Sequence, residues 1–496
     1  MSNYILALDQ GSSASRAVLF DDEGNAVSQA RRELGCYCPQ SGWMEQQPME
    51  IWSGQYAAMM EAAAKGGIRW QELAAVGIAA QRGTTILWEK ATGRPIYNAI
   101  SGQCRRTAPL VRELVRQGLD EHIRRVTGLV PDAGFPATKI RWILDTVPGA
   151  QQRAEKGELL FGTVGTWLVW KLTGGRVHAM DRSCAAYTML YDSQKMEWDE
   201  VLLNALRIPR EVLPEICPSG HVYGSVNIGG REIPLTALSG DQNAALFGQC
   251  CFDRGQAKCT FGSGCVLMTG TGKKRVHSIS GLLTGLACGT DGEEPEYLLE
   301  GCVFDGGSLI DWLRGGLHLI ESNEEAQYAA QKVPDHGGVY LVPALSGMAA
   351  PRWDMQARGC IVGMTRGTRR EHIIRAAEES IAFRCADLIH AAEADLGRPL
   401  TEIRVDGGGV QDHFLMQLEA DLSGRTLRCP PVPEAAAQGA ACLAGLAVGV
   451  WTDRKQLSDL WSSERRFDPA MDEKIRLARL RGWHRAVERG LDWEEV

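Results

Sequence analysis

Three short loops of small residues, each directly after an apolar segment, constrain the fold of this chain more than any other sequence feature. They are DQGSS at 9–13, GSG at 262–264 and DGGG at 406–409. Glycine lets backbone N–H groups approach phosphate oxygens closely, and serine adds hydroxyl donors. The aspartates that begin two of these loops are suited to hold Mg²⁺. One such loop is weak evidence, but three in this order predict a phosphate-binding protein.

The two common nucleotide-binding motifs do not accompany these loops. The sequence has no Gly-Lys-Ser/Thr in a GxxxxGK frame, and no GxGxxG stands between an apolar strand and a helix. A P-loop protein and a dinucleotide-binding protein are therefore both excluded as explanations of the three loops.

The order of predicted elements indicates an α/β protein. Strand, loop, strand and turn follow one another at 4–26, and the second half begins in the same way at 233–269. Hairpins at the start of each half predict mixed rather than purely parallel sheets. Further strands are predicted at 74–80, 340–343 and 402–405, and helices at 49–64, 137–144, 166–172, 370–390 and from about 413. We therefore expect two domains of similar size, 1–245 and 246–496.

Composition limits the partners and the compartment. The net charge of −8 argues against nucleic acid or an anionic membrane as the main partner, because both attract basic surfaces. The longest apolar run, 440–451, is short of the roughly 18 residues that a membrane span needs. No export signal is evident, and the fifteen cysteines include no CxxC pair, so we expect reduced thiols in a cytoplasmic protein.

Longer stretches around the loops carry a family resemblance. They are LALDQGSSASRAVLFD at 6–21, GWMEQQPMEIW at 42–52, QRGTTILWEKATGRPIYNAI at 81–100, QCRRT at 103–107, GELLFGTVGTWLVWKLTGG at 157–175, SGDQNAALFGQ at 239–249, GMTRGTRREHIIRAAEESIA at 363–382 and RVDGGGVQDHFLMQ at 404–417. Over essentially its whole length the chain resembles sugar kinases of the FGGY family, and within it the glycerol kinases. The resemblance implies two ribonuclease-H-like domains, of the actin, hexokinase and Hsp70 ATPase type, flanking a deep cleft.

The resemblance also implies roles for individual residues. Asp241 would be the general base, with Gln242 beside it on the acceptor, and Asp9 would position Mg²⁺. The residues implied in ATP binding are Ser12, Ser13, Arg16, Ser263, Gly264, Gly307, Asp311, Gly408, Gly409 and Asp412. The alternative role of Asp241 is a helix N-cap. Phosphoryl transfer needs positioning more than a strong base, so an aspartate of ordinary pKa would suffice. A homodimer or homotetramer is also expected from the family.

The departures from the family are concentrated in the acceptor pocket. The chain keeps Arg82 together with the Asp-Gln pair, but Gly83 replaces the family's Glu. Gly102, Gly134 and Val266 replace a Trp, a Tyr and a Phe. Each lost ring removes about 150–250 Å² of contact area. We therefore predict a larger, less polar pocket and a polyol or sugar acceptor larger than glycerol. The alternatives are that other groups fill the space for glycerol, or that the protein is a non-catalytic nucleotide-binding regulator.

The nucleotide side departs less. Ser12, Ser13 and Ser263 replace threonines and keep the hydroxyls, whereas Asp311 and Asp412 replace Gln and Asn and leave the base preference open.

His221 is a separate candidate for a functional residue. His221 stands in a region where some glycerol kinases carry a regulatory phosphorylated histidine, but we predict an ordinary exposed loop histidine.

Overall fold

The computed structural model describes residues 3–431 and 434–494. The strands up to residue 248 are β1 (Tyr4–Gln10), β2 (Ala14–Phe20), β3 (Ala26–Glu33), β4 (Glu45–Gln46), β5 (Leu73–Ala80), β6 (Thr85–Glu89), β7 (Ala99–Ile100), β8 (Leu159–Thr163), β9 (Ala179–Asp181), β10 (Tyr191–Asp192), β11 (Glu197–Trp198), β12 (Glu215–Cys217), β13 (Gly220–Ile228) and β14 (Arg231–Gly240). The helices are α1 (Pro48–Lys65), α2 (Ala108–Arg116), α3 (Asp120–Thr127), α4 (Pro136–Thr146), α5 (Ala150–Glu155), α6 (Val164–Leu172), α7 (Arg182–Ala186), α8 (Glu200–Ala205) and α9 (Asp241–Gly248). Single 3₁₀ turns lie at Trp70–Glu72 and Arg210–Val212.

The remaining chain adds nine strands and seven helices within the described residues. The strands are β15 (Gln256–Phe261), β16 (Cys265–Gly272), β17 (Leu283–Leu286), β18 (Tyr297–Val303), β19 (Tyr340–Val342), β20 (Cys360–Val362), β21 (Glu402–Asp406), β22 (Leu427–Cys429) and β23 (Arg465–Phe467). The helices are α10 (Gly307–Gly315), α11 (Asn323–Ala330), α12 (Arg370–Leu396), α13 (His413–Ser423), α14 (Ala435–Ala447), α15 (Arg454–Leu460) and α16 (Glu473–Val487), with a 3₁₀ turn at Gly408–Gln411.

Two large mixed sheets organise the molecule. The first has the strand order β13-β14-β5-β1-β2-β3, and the second has β17-β18-β16-β15-β21-β22-β23. In the first sheet β1 pairs antiparallel with β2 and parallel with β5. In the second sheet β15 pairs antiparallel with β16 and parallel with β21. The predicted α/β fold with mixed sheets and a hairpin in each half is therefore confirmed.

The first sheet is covered by helices on both faces, which explains why residues 5–8 of β1 are all apolar. Leu6 and Leu8 pack on the side of α1, whereas Ile5 and Ala7 pack on the side of α14. At Gly77 of β5, a Cβ atom would lie 2.3 Å from the carbonyl oxygen of Ala440, so glycine permits the close approach of α14. A helix from the second half of the sequence thus completes the core of the first sheet, and the boundary at residue 245 stays a prediction.

Smaller features correct or limit other expectations. His221 lies on β13 rather than in a loop, and its Nδ1 lies 2.9 Å from a carboxylate oxygen of Asp291. All fifteen cysteines fall within the described ranges, and each is free. In the same ranges no helix has the length and apolar character required to cross a membrane.

Candidate active site

Three parallel strands bring the predicted catalytic residues to one edge of the first sheet. Ala80, at the end of β5, is paired with Gln10 of β1 on one side and with Gly240 of β14 on the other. Asp9, Arg82 and Asp241 therefore lie at the carboxyl ends of adjacent strands, where ligands bind in open α/β sheets. Asp9 and Arg82 are 73 residues apart in the sequence, and Arg82 and Asp241 are 159 residues apart. Their proximity therefore follows from the strand order and is not evident from the sequence.

Burial dominates the electrostatics of the two carboxyl groups. It raises the pKa of Asp9 to about 6, against the opposing effect of Arg16, and the charge of Asp241 raises it further. Burial also raises the pKa of Asp241, against the opposing charge of Arg82. Asp241 therefore departs from the ordinary pKa expected of it. Its side chain is not the N-cap of α9, because Gly240 occupies that position.

The donor set fits a magnesium ion shared with phosphates. Asp9 is 5% exposed, and Arg16 Nη1 lies 3.4 Å from its Oδ2 atom, which is a long contact. No cluster of three or more potential protein ligands occurs in the described part of the chain. Mg²⁺ commonly takes one or two carboxylates and completes its shell with water and phosphate oxygens. Asp9 would hold the ion in this way, and the ion would neutralise phosphate charge.

Arg82 contacts protein groups on several sides. Its guanidinium donates to both carboxylate oxygens of Glu300, at 2.7 and 2.8 Å, and to Oδ1 of Asn243 at 3.1 Å. The group lies 4.0 Å from the ring centroid of Tyr187, and its Nε is 3.8 Å from Oδ1 of Asp241. Glu300 of the second sheet thus supplies a carboxylate partner for Arg82.

Gln242 is also held from the second sheet. Lys258 of β15, whose side chain is fully buried, donates from Nζ to Oε1 of Gln242 and to Oγ1 of Thr260, the latter at 2.8 Å. Burial lowers the pKa of Lys258, and the carboxylates of Asp406 and Glu300 oppose this effect. The sequence interpretation missed Lys258 and Glu300. The available signal was a single charged residue inside an otherwise apolar strand, as in KCTF and YLLEGCV.

The three glycines of the acceptor wall lie against one another. A Cβ atom on Gly83 would be 3.0 Å from Cα of Gly102 and 3.0 Å from the carbonyl oxygen of Gly134. A Cβ atom on Gly102 would be 3.3 Å from Cα of Gly83. These distances are tighter than most Cβ contacts, so a side chain at Gly83 or Gly102 would require its neighbours to shift by a few tenths of an ångström. The predicted larger and less polar pocket stays a prediction.

Charged residues hold the same wall from behind. Lys139 donates from Nζ to the carbonyl oxygens of Ala133 and Gly134, both at 2.6 Å. The backbone N–H of Gly134 donates to Oδ1 of Asp132 at 2.7 Å, and Arg105 donates to the same carboxylate. Burial lowers the pKa of Lys139 to about 7. Side-chain hydrogen bonds therefore fix the backbone of the wall at Gly134.

Val266 lies on a different element from the three glycines. It stands on β16, between Thr260 of β15 and Cys302 of β18, and is partly exposed. Residues directly opposite each other in antiparallel strands share a face. Val266 is therefore on the face that carries Lys258 and Glu300, the two charges that reach Gln242 and Arg82.

The first phosphate loop joins β1 to β2. Ser12 and Ser13 are exposed at its tip, and Gln46 donates to the carbonyl oxygen of Ser12. Arg16 is opposite Asp9 in the β1–β2 register. The loop therefore presents two free hydroxyl groups beside the buried carboxyl group of Asp9.

The predicted glycines of the second half meet around the end of β15. The N–H of Gly307 donates to the carbonyl oxygen of Gly262, and the N–H of Ser308 to that of Ser263, at 2.9 and 3.0 Å. A Cβ atom on Gly409 would lie 2.8 Å from Cβ of Phe261. The predicted residues Ser263, Gly264, Gly307, Gly408 and Gly409 thus belong to one group of touching loops.

Two predicted adenine-side residues have protein partners. Asp311 is exposed on α10 and forms an ion pair with Arg314 at 2.9 Å. Asp412 caps α13 by accepting from the N–H of Leu415. Burial raises the pKa of Glu378, and the adjacent Asp412 raises it further. The base preference expected to depend on Asp311 and Asp412 stays open.

The repeated strand–loop–strand unit, with buried carboxyl groups at one sheet edge, is typical of the two-domain phosphotransferases of the actin, hexokinase and Hsp70 ATPase type. Profiles of the "FGGY family of carbohydrate kinases" match residues 4–248 with the N-terminal domain and 257–448 with the C-terminal domain. The chain belongs to this family. It is therefore an ATP-dependent kinase that uses Mg²⁺ and phosphorylates an alcohol group.

Glycerol kinases from other organisms are similar to this chain over nearly its full length. The glycerol kinase of Carboxydothermus hydrogenoformans is 51% identical over 99% of both chains, and glycerol kinase 2 of Thermotoga maritima is 50% identical over the same shares. The crystal structure of Plasmodium falciparum glycerol kinase with ADP superposes with a TM-score of 0.90 at 34% identity, covering 100% of this chain and 99% of that one. The gluconate kinase of Lactobacillus acidophilus, at 22% identity with a TM-score of 0.85 over 99% and 98% of the two chains, shares the fold.

Proposed function

We propose that this protein transfers the γ-phosphoryl group of Mg-ATP to a hydroxyl group of glycerol. The observation that carries the proposal is the strand register that places Asp9, Arg82 and Asp241 at one sheet edge. The named activity of relatives about half identical over nearly the whole chain supports glycerol as the acceptor. This replaces the larger acceptor predicted from the missing side chains.

The proposed chemistry divides the work between the two carboxyl groups. Asp241 accepts the proton from the attacking hydroxyl group as its oxygen bonds to the γ-phosphorus, while the bond from that phosphorus to the bridging oxygen breaks and ADP leaves. Asp9 would hold Mg²⁺, and the ion would neutralise charge on the phosphates. Ser12, Ser13, Ser263 and the second-domain glycines bind and orient the phosphates through hydroxyl and N–H donors. Phosphoryl transfer needs mainly in-line positioning and charge neutralisation, and these groups supply both.

The contacts of the glycine wall support a small acceptor. Gly83, Gly102 and Gly134 approach each other at distances tighter than most Cβ contacts, and Lys139 and Asp132 hold the backbone of Gly134. The wall would therefore face a three-carbon acceptor with glycine backbone instead of side chains. Arg82 and Gln242 supply side-chain polar groups beside it.

A second candidate acceptor is a polyol or sugar larger than glycerol. Val266 favours it, because valine leaves space where the family has a phenylalanine, and the three glycines are partly exposed. The free energy available from one lost aromatic ring, about 4–6 kcal/mol at 25 cal/mol per Å², is large enough to change the preferred acceptor.

A coupled ADP-release assay distinguishes the candidates. Glycerol, four- to six-carbon polyols, ketoses and glyceryl derivatives would each be titrated with saturating Mg-ATP. We expect the highest kcat/KM for glycerol. A higher value for a larger polyol would establish the second candidate. Absence of phosphorylated product from every acceptor, with ADP binding intact by calorimetry, would contradict both and favour a non-catalytic nucleotide-binding protein.

A further inference from the structure

Two buried charges of the second sheet face the residues that bind the acceptor in the proposed function. Lys258 of β15 and Glu300 of β18 stand on either side of Met268 of β16, in one row across the sheet. Lys258 is 0% exposed and Glu300 is 3% exposed. Isolated charges are costly to bury, so each of them requires specific partners.

The contact of Lys258 determines how Gln242 is oriented. An ammonium group has three donors and no acceptor, so the amide atom that faces Nζ of Lys258 must be the oxygen Oε1. The amide nitrogen Nε2 of Gln242 is then directed away from Lys258 and can donate to an acceptor molecule. Thr260 accepts a second hydrogen bond from Nζ at 2.8 Å and fixes the lysine.

The contact of Glu300 determines where the guanidinium group of Arg82 lies. Two parallel hydrogen bonds, of 2.7 and 2.8 Å, hold Arg82 against Glu300. Such bidentate pairs are geometrically specific. Both terminal nitrogens of Arg82 are bonded to Glu300, and Nε lies 3.8 Å from Oδ1 of Asp241. Without Glu300 the terminal nitrogens would be free to form an ion pair with Asp241, which would then be less able to accept a proton.

We propose that Lys258 and Glu300 are positioning residues, through which the second sheet sets the orientation of Gln242 and Arg82 for the acceptor. The inference rests on the proposed function. It implies that the acceptor site is formed by both sheets, with donors presented by the first sheet and their orientation set by the second. Neither Lys258 nor Glu300 is required to contact the acceptor or the nucleotide.

Double-mutant cycles test whether Lys258 acts through Gln242 and Glu300 through Arg82. The assays use an acceptor that the wild-type protein phosphorylates. Lys258→Met is made alone and with Gln242→Ala, and Glu300→Gln is made alone and with Arg82→Ala. We expect each positioning variant alone to raise the KM for the acceptor roughly tenfold to a hundredfold, the loss typical of a buried charged hydrogen bond. The KM for ATP should stay within about twofold. In the Gln242→Ala and Arg82→Ala backgrounds, the second change should add almost no further loss.

A matched control separates positioning from a general loss of charge or fold. Lys171→Met removes a partly buried lysine of α6 that lies over Trp167, far along the chain from the proposed pair. Its effect should be small and additive with Gln242→Ala. ADP binding by calorimetry selects the variants that are folded, and Glu300→Gln, which preserves shape, carries the test if Lys258→Met does not fold.

Two results would overturn the inference. One is a loss from Lys258→Met or Glu300→Gln that is as large in the Gln242→Ala or Arg82→Ala background as in the wild type. The other is a rise in the KM for ATP instead of the acceptor, which would place these residues on the nucleotide. Failure of the wild type with every acceptor would overturn the proposed function itself, and is recognised before any variant is measured.

Discussion

The acceptor wall and the nucleotide loops both depend on glycine, but for different physical reasons. In the nucleotide loops, a Cβ atom on Gly264 or Gly407 would lie within 2.5 Å of a carbonyl oxygen, of Val303 or Phe261 respectively. In the acceptor wall, the glycines contact mainly one another. Glycine is thus required independently at Gly264 and at Gly407, whereas in the wall each glycine makes room for another glycine. A change at one wall position alters what the other two can accommodate.

The largest expected effect is a loss of kcat on substitution of Asp241, because phosphoryl transfer requires the acceptor and the nucleotide together. Asp241→Asn should lower kcat by about 10²–10⁴-fold, because an amide cannot accept the proton of the hydroxyl group. The KM for ATP should change little, and a steady-state ADP-release assay measures both. The exposed Asp291→Asn is the matched control. A kcat within tenfold of the wild type would show that Asp241 is not the base.

Asp9 should give the next largest effect, in opposite directions for activity and stability. Its pKa of about 6 lies above the ordinary value of 3.8, so the folded protein binds the proton more tightly than the unfolded chain. Stability therefore falls as the pH rises from about 4 to 6, and the full penalty of about 3 kcal/mol applies above pH 6. Asp9→Asn should remove this penalty.

Thermal unfolding of the ligand-free protein at two pH values checks this prediction. Asp9→Asn should raise the Tm at pH 7.5 and leave it nearly unchanged at pH 4. The same variant should lose activity that depends on Mg²⁺. An equal stability gain at both pH values would show that burial of the ionised Asp9 carboxylate does not destabilise the folded protein.

Much of the fold could be predicted from the sequence because its signals are local. The apolar segment before DQGSS, the turn DDEGN and the long helical pattern from residue 370 each specify an element within one window. The position of α14 could not be predicted in this way. Its alanines and glycines fit any close helix–sheet contact, and nothing in its own residues indicates that it packs on β1 and β5, which lie more than 350 residues earlier.

The candidate site was predictable where a family motif covers it and not where two segments must meet. Asp241 and Asp9 stand in quoted motifs, and strand order brings them together. The glycine wall was interpreted as empty space, because counting lost side chains does not reveal that backbones approach. Glu300 lies 218 residues from Arg82, so no local pattern connects the two. His221 was assigned to a loop because strand β13 begins with Gly220, a residue that weakens strand predictions.

Alanine substitutions in the acceptor wall and in a nucleotide loop should have smaller effects, on stability, that differ between the two regions. Gly83→Ala places a methyl group 3.0 Å from two neighbours, so we expect destabilisation of about 1 kcal/mol and a higher KM for the acceptor. At Gly408 a Cβ atom meets nothing within 4 Å, so Gly408→Ala should leave the Tm unchanged or slightly raised. Denaturation curves of the two variants measure the difference. Equal Tm values would mean that the wall relaxes freely.

The smallest expected effect is on the nucleotide side alone. Ser263 is exposed at the tip of its loop, and removing its hydroxyl group with Ser263→Ala removes one neutral hydrogen bond to a phosphate, about 0.5–1.5 kcal/mol. The KM for ATP should therefore rise about twofold to tenfold, while the KM for the acceptor stays constant. Initial rates over a matrix of ATP and acceptor concentrations separate the two constants. A shift in the acceptor constant instead would show that this loop and the glycine wall act on a common ligand, and the division between the two regions would fail.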